Sequence, residues 1–110
     1  MQEKNKMKTK EMKIKDKVWS TSIAKRELCE WCGKLGSDPA HIIPRKFLKS
    51  RWLLENGLFL CRECHKKFDL DVEFRSRVID ILIGREKYLL LKRIARGDIL
   101  YNKQDFEKKE

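Results

Sequence analysis

The sequence predicts an α+β domain in which a short β-hairpin, pinned by a four-cysteine metal site, is followed by helices. Three observations predict it. Two C-x-x-C pairs, Cys29/Cys32 and Cys61/Cys64, have 28 residues between them. Two short apolar runs, Ile42-Ile43 in "AHIIPR" and "LFLC", fall in or at the edge of that interval and are bounded by turn residues. Beyond Cys64, "HKKFDLDVEFRSRVIDILIGREKYLLLKRIARG" carries apolar residues at helical spacing.

A chain of 110 residues makes one small domain. At this size about 60–65% of the unfolded surface is buried, so packing alone is marginal. Charged residues make up 40% of the chain, which confines apolar packing to a few places and calls for a staple. The four cysteines can supply it. Disulfides would need an oxidising compartment. The lysine-rich start has no apolar signal segment, and no run approaches the roughly 20 residues of a membrane span. The expectation is therefore an intracellular chain, where paired C-x-x-C units hold zinc. A net charge of +10 and a pI near 9.6 point to a polyanionic partner, nucleic acid before membrane.

Taken in order, residues 1–17 alternate lysine with small or isolated apolar residues and read as a basic, flexible or weakly helical arm. Residues 18–110 read as one domain, with a core over about 28–70 and a helical tail over about 71–110. A short N-terminal helix is expected from Lys17 to Arg26, because Trp19 and Ile23 lie four apart on one face. In "CEWCGKLG", Gly33 and Gly36 permit the tight backbone of a metal knuckle. Ile42 and Ile43 suggest a strand that Pro44 bounds. "KFLKSRWLLE" reads as loop with a helical turn, and Asn56-Gly57 as a turn. "LFLC" is the second strand, so the two strands make an irregular hairpin. Asp71 is positioned to cap the helix that follows. Val72, Val78, Ile79, Leu82 and Ile83 form one apolar stripe; Tyr88, Leu91, Ile94 and Ala95 form another. Gly84 and Gly97 mark helix ends, and "NKQDFEKKE" adds a last short helix or frays.

Zinc takes four tetrahedral ligands with thiolate sulfur at about 2.3 Å. Cys29, Cys32, Cys61 and Cys64 complete such a set, with a redox pair or plain core thiols as the alternatives. Metal binding then becomes folding free energy, on the order of 10 kcal/mol. A closed four-thiolate site leaves His65 free for another role.

The chain has two histidines. His41 follows the first knuckle, His65 follows the second, and Asn56 stands between them just before the second strand. Across residues 28–70, "CEWC", "AHIIPR", Asn56-Gly57-Leu58 and "LCRECH" resemble the HNH endonuclease family, phage-type. The resemblance implies a ββα-metal core, a hairpin then a helix, with a catalytic divalent ion (Mg²⁺, Mn²⁺ or Ni²⁺) between them. It implies that His41 is the general base, that Asn56 fixes the loop that aims it, and that His65 binds the ion. The implied reaction is hydrolysis of a DNA phosphodiester, leaving 5′-phosphate and 3′-hydroxyl ends.

The chain departs from the family pattern at Ala40, where many members place a metal ligand just before the base. Asp69, four residues after His65 on the same helix face, is the expected second ligand, ahead of Asp38, read as a turn residue. Arg45, Lys46, Lys49 and Arg51 are the expected phosphate contacts, and Lys66 and Lys67 are expected to be solvated. No separate base-reading module is visible, so DNA shape or a protein partner would supply specificity. The competing expectation is a zinc-knuckle DNA-binding or adaptor protein that does not cut. In an enzyme, His41 and His65 face one cavity; in an adaptor, they point apart or are buried.

Overall fold

The short apolar run after Asn56-Gly57 does form a strand. In the computed structural model, which describes residues 2–107, β2 (Gly57–Leu60) pairs antiparallel with β1 (Asp38–His41). The register sets Asp38 against Leu60 and His41 against Gly57. Every residue of β2 is buried, because helices cover both faces of this two-stranded sheet. Helix α1 (Gln2–Ala24) lies on one face, where Trp19, Ile23 and Phe59 form a small cluster. The main core lies on the other face and joins Ala40, Leu58 and Leu60 to Phe68 of α3 (Arg62–Leu70). The two-residue period of a strand explains the division: Phe59 turns to α1, its neighbours Leu58 and Leu60 to α3. Gly57 allows the close approach. A Cβ there would fall 2.5 Å from Ile23 Cδ1 and 2.7 Å from Trp19 Cζ2.

The first strand ends earlier than Ile42 and Ile43 suggest. Its ladder stops at His41 because the partner begins only at Gly57, after a single 3₁₀ turn at Leu54–Asn56. Ile42 and Ile43 are buried beyond the strand and are held by other bonds. The Ile42 N–H donates to the Asn56 carbonyl (3.1 Å), and the Arg75 guanidinium donates to the Ile42 carbonyl. The segment between the strands contains one helical turn, α2 (Leu48–Arg51).

The short helix expected from Lys17 is the end of a helix of 23 residues. Residues 2–24 contain no glycine or proline and are rich in Lys, a good helix former, so nothing breaks the helix at the expected arm boundary. The ends of the expected arm and tail, residue 1 and residues 108–110, lie outside the described residues, as do the side chains of residues 2–8.

After α3, Asp71 caps α4 (Val72–Val78) by accepting from the N–H groups of Glu73 and Phe74 at 3.0 and 3.1 Å. A five-residue π-helical segment, Ile79–Ile83, ends at Gly84 with φ +91°. Helix α5 (Arg85–Arg96) ends at Gly97 in the left-handed region, and α6 (Lys103–Glu107) follows. Val78, Ile79, Leu91 and Ile94 are buried as expected, whereas Val72 is 81% exposed and Leu82 also lies outside. The π segment holds more residues per turn, which rotates Leu82 off the stripe that a plain α-helix would give it. Among the described residues, no helix is long and apolar enough to cross a membrane.

Candidate functional site

Two backbone turns bring the cysteines together. Cys29–Gly33 and Cys61–His65 each close on the first cysteine: the Cys32 and Cys64 N–H groups lie 3.5 Å from the sulfurs of Cys29 and Cys61. Gly33 takes φ +84° to complete its turn, and Cys61 caps α3. The four sulfurs lie within 4.8 Å of one another, with Cys32 and Cys61 Sγ 3.8 Å apart. A tetrahedron of bonds about 2.3 Å long has edges of about 3.8 Å, so the donor set fits a metal ion such as zinc. Burial works against a thiolate at Cys29, but N–H groups of Cys32, Cys61 and Trp31 outweigh it and bring the thiol down to about 6. Burial and three neighbouring sulfurs push Cys64 up. A metal ion takes cysteine as thiolate, so its binding releases protons and its charge offsets that of the sulfurs.

His41 ends β1 and faces α1. Its ring is half-buried and stacks on Trp19, with centroids 3.9 Å apart and planes 6° from parallel. Its Nε2 lies 2.9 Å from the Arg51 backbone carbonyl. A carbonyl oxygen only accepts, so Nε2 carries the proton and Nδ1 holds a free lone pair. Burial lowers the pKa of this imidazole most. The Arg51 and Arg45 charges add to that, and the bond to Arg51 and the Asp16 carboxylate oppose it without cancelling it. The ring is therefore neutral at pH 7. It opens on a shallow cleft of about 390 Å³ that Asp16, Lys17, Ser20 and Arg45 also line.

Two side chains hold the carbonyl that orients His41. Asp16 of α1 accepts from Arg51 Nε (2.9 Å), Arg51 Nη2 (2.6 Å) and Trp52 Nε1 (2.7 Å), which fastens the end of α2 to α1. These bonds, led by that from Arg51, hold the Asp16 carboxyl below its ordinary range. Asn56, fully buried, holds the chain on the other side. Its Oδ1 accepts from the Ile43 N–H (2.7 Å), and its Nδ2 donates to the carbonyls of Ile43 and Ser50 (3.1 Å each). Asn56 thus fastens the backbone two residues after His41 to the loop that carries Arg51.

His65 lies on α3, on the opposite face of the hairpin. Its Nδ1 is 3.0 Å from Asp38 Oδ2 and its Nε2 is 3.4 Å from Asp69 Oδ2. Asp38 is no turn residue: it opens β1 on the face that α3 covers, two residues from Ala40. A carboxylate thus stands beside His65 although the position before His41 is alanine. Burial works against the Asp38 carboxylate, but bonds from His65, Ser37 and Arg62 outweigh it and hold the pKa at about 2. The two carboxylates take opposite ring nitrogens. Among the described residues, the four cysteines alone bring three or more ligand atoms within 4.8 Å. For His65 to bind an ion, one of its carboxylate contacts must give way.

The expected phosphate contacts divide. Arg45, Lys46 and Lys49 are exposed, and Arg45 borders the His41 cleft. Arg51 is a correction: only 7% exposed, with its guanidinium committed to Asp16 and the Arg45 carbonyl, it is a structural clamp. The sequence reading missed Asp16, the one acid in "KIKDKVW", and Glu30, inside the first C-x-x-C. Glu30 accepts from the Phe59 N–H at 2.7 Å and from Arg26 at 2.8 Å, and Arg26 also donates to the Gly57 carbonyl at 2.8 Å. A cavity of about 810 Å³ beside α5 and α6 is lined by no histidine or cysteine and lies apart from these groups.

No family model, curated protein or solved structure matches this chain.

Proposed function

We propose that the protein is a metal-dependent endonuclease or nickase of the HNH kind that hydrolyses DNA phosphodiester bonds. The observation that carries this reading is the setting of His41. Its proton is committed to a backbone carbonyl, its ring is neutral with the Nδ1 lone pair uncommitted, and the residue lines a cleft bordered by Arg45 and Lys17. That is the arrangement a general base needs: a fixed tautomer, a free lone pair at pH 7, and cations for the phosphate. In the reaction, Nδ1 takes a proton from water as the oxygen attacks phosphorus, the P–O3′ bond breaks, and the leaving 3′-oxygen takes a proton from solvent. Asn56 keeps the backbone around His41 in place. His65, with Asp38 and Asp69, is the group that would hold a divalent ion. A divalent ion there would supply positive charge to a phosphate, on the face of the hairpin opposite the His41 cleft.

One observation favours the second reading, a zinc-knuckle DNA-binding or adaptor protein: His41 and His65 lie on opposite faces of the hairpin rather than toward one cavity. Incubation with supercoiled plasmid and Mg²⁺, Mn²⁺ or Ni²⁺ separates the two. The enzyme nicks or linearises the plasmid, and His41→Ala lowers the rate by roughly 10²–10⁴ with DNA affinity kept. No cleavage with any of the three ions, or equal cleavage by His41→Ala, leaves the adaptor as the better reading.

A further inference from the structure

Helix α1 carries a row of cations that leads to the His41 cleft. Lys10, Lys13 and Lys17 are spaced three and four apart, so at 100° per residue they fall within about 60° of one face. All three are exposed, and among the described residues no carboxylate pairs with any of them. Asp16, three residues after Lys13 and beside Lys17, is committed to Arg51 and Trp52, and Glu11 lies about 100° or more round the helix from the row. Lys15 belongs to another face, with its Nζ 4.9 Å from the Trp52 ring. Trp19, Ile23 and Asp16 anchor the C-terminal part of the helix to the hairpin and α2, and Lys10 and Lys13 extend from that anchor on the same continuous helix. The row is also continuous with the cleft, since Lys17 lines the same hollow as His41 and Arg45.

We propose that the Lys10–Lys13–Lys17 face of α1 binds the sugar-phosphate backbone of a nucleic-acid duplex and guides it to the His41 cleft. Seven residues of helix rise about 10 Å, which matches about three phosphates of one strand at about 3.4 Å of duplex axis each. The row therefore spans several phosphates of one strand, and Arg45 continues the contact past the cleft. Such a row contacts phosphates and not base edges, so it adds affinity without sequence preference. A membrane is the lesser fit: of the described residues beside the row, only Ile14 and Val18 are exposed aliphatics, too few to make an inserting face. The role of the cleft rests on the nuclease reading; the binding of the duplex does not.

The test is duplex binding by fluorescence anisotropy without divalent ions, from about 50 to 200 mM salt. The variant is Lys10→Gln/Lys13→Gln/Lys17→Gln. Glutamine is a good helix former, and circular dichroism checks that α1 persists. The control, Lys87→Gln/Arg93→Gln/Arg96→Gln, removes three exposed charges from α5. Three lost phosphate contacts should lower the slope of log affinity against log salt by about 2.7, and low-salt affinity by tenfold or more. The control should change the slope by less than about 1, and Lys→Arg at positions 10, 13 and 17 should restore binding. Equal effects of the two triple variants, an unchanged slope, or tighter binding to phosphatidylserine vesicles than to duplex would overturn the proposal. Failure of the nuclease reading shows separately, as a parent that binds duplex through these lysines and cuts nothing.

Discussion

Replacing Asn56 with alanine tests the fastening of the His41 segment most directly. The Asn56 side chain is fully buried, and among the described residues it is the sole partner of both the Ile43 N–H, at 2.7 Å, and the Ile43 carbonyl, at 3.1 Å. Alanine leaves both groups orphaned beside a small cavity. The Ser50 carbonyl loses less, because the Leu53 N–H still reaches it at 3.2 Å. Each buried orphan costs about 1–3 kcal/mol, so the two together with the cavity amount to about 3–5 kcal/mol. A domain of this size has about 5–15 kcal/mol in total, and 1 kcal/mol moves its melting temperature by about 4 °C. Asn56→Ala should therefore melt about 10–20 °C below the parent, measured by circular dichroism on zinc-loaded protein. Asn56→Asp should not rescue it. Aspartate keeps an acceptor for Ile43 N–H but turns a second oxygen toward two carbonyls. A loss below about 1 kcal/mol in Asn56→Ala would refute the reasoning.

Metal should hold the fold together. About one zinc per chain is expected by elemental analysis, and Cys61→Ser or chelation should abolish cooperative unfolding; a folded, cooperative protein without zinc would contradict the cluster's role. The pH dependence of His41 follows from its lowered pKa. Its folded pKa lies below the unfolded value of about 6.5, so its contribution to stability is present above pH 6.5 and is lost as pH falls through the folded pKa. NMR titration should place the His41 midpoint below 6.5, and His41→Ala should flatten the fall in stability on the acid side; a midpoint at or above 6.5 would contradict the buried, stacked setting.

Much of the framework was legible because it is decided within a few residues. The two C-x-x-C turns, the second strand, the Asp71 cap and the glycine ends at Gly84 and Gly97 each depend on local backbone chemistry that residue type reports directly. The pairing of Cys29/Cys32 with Cys61/Cys64 was legible as well, because four thiolates separated by a loop have one common solution. The sequence by itself therefore determined an α+β hairpin-and-helix domain with a four-cysteine centre. Only the tertiary structure decided what surrounds the histidines. Trp19 stacks on His41 from 22 residues away, Asp16 reaches Arg51 across 35, and Asp38 reaches His65 across 27. In the sequence, Arg51 looks like Arg45, and Asp38 looks like any acid before a proline. One arginine is buried and spent while the other is free, and one carboxylate meets a histidine, because α1 and α3 close on opposite faces of the hairpin. That packing depends on side-chain shape and on the absence of a Cβ at Gly57, contacts between distant segments that no local periodicity encodes.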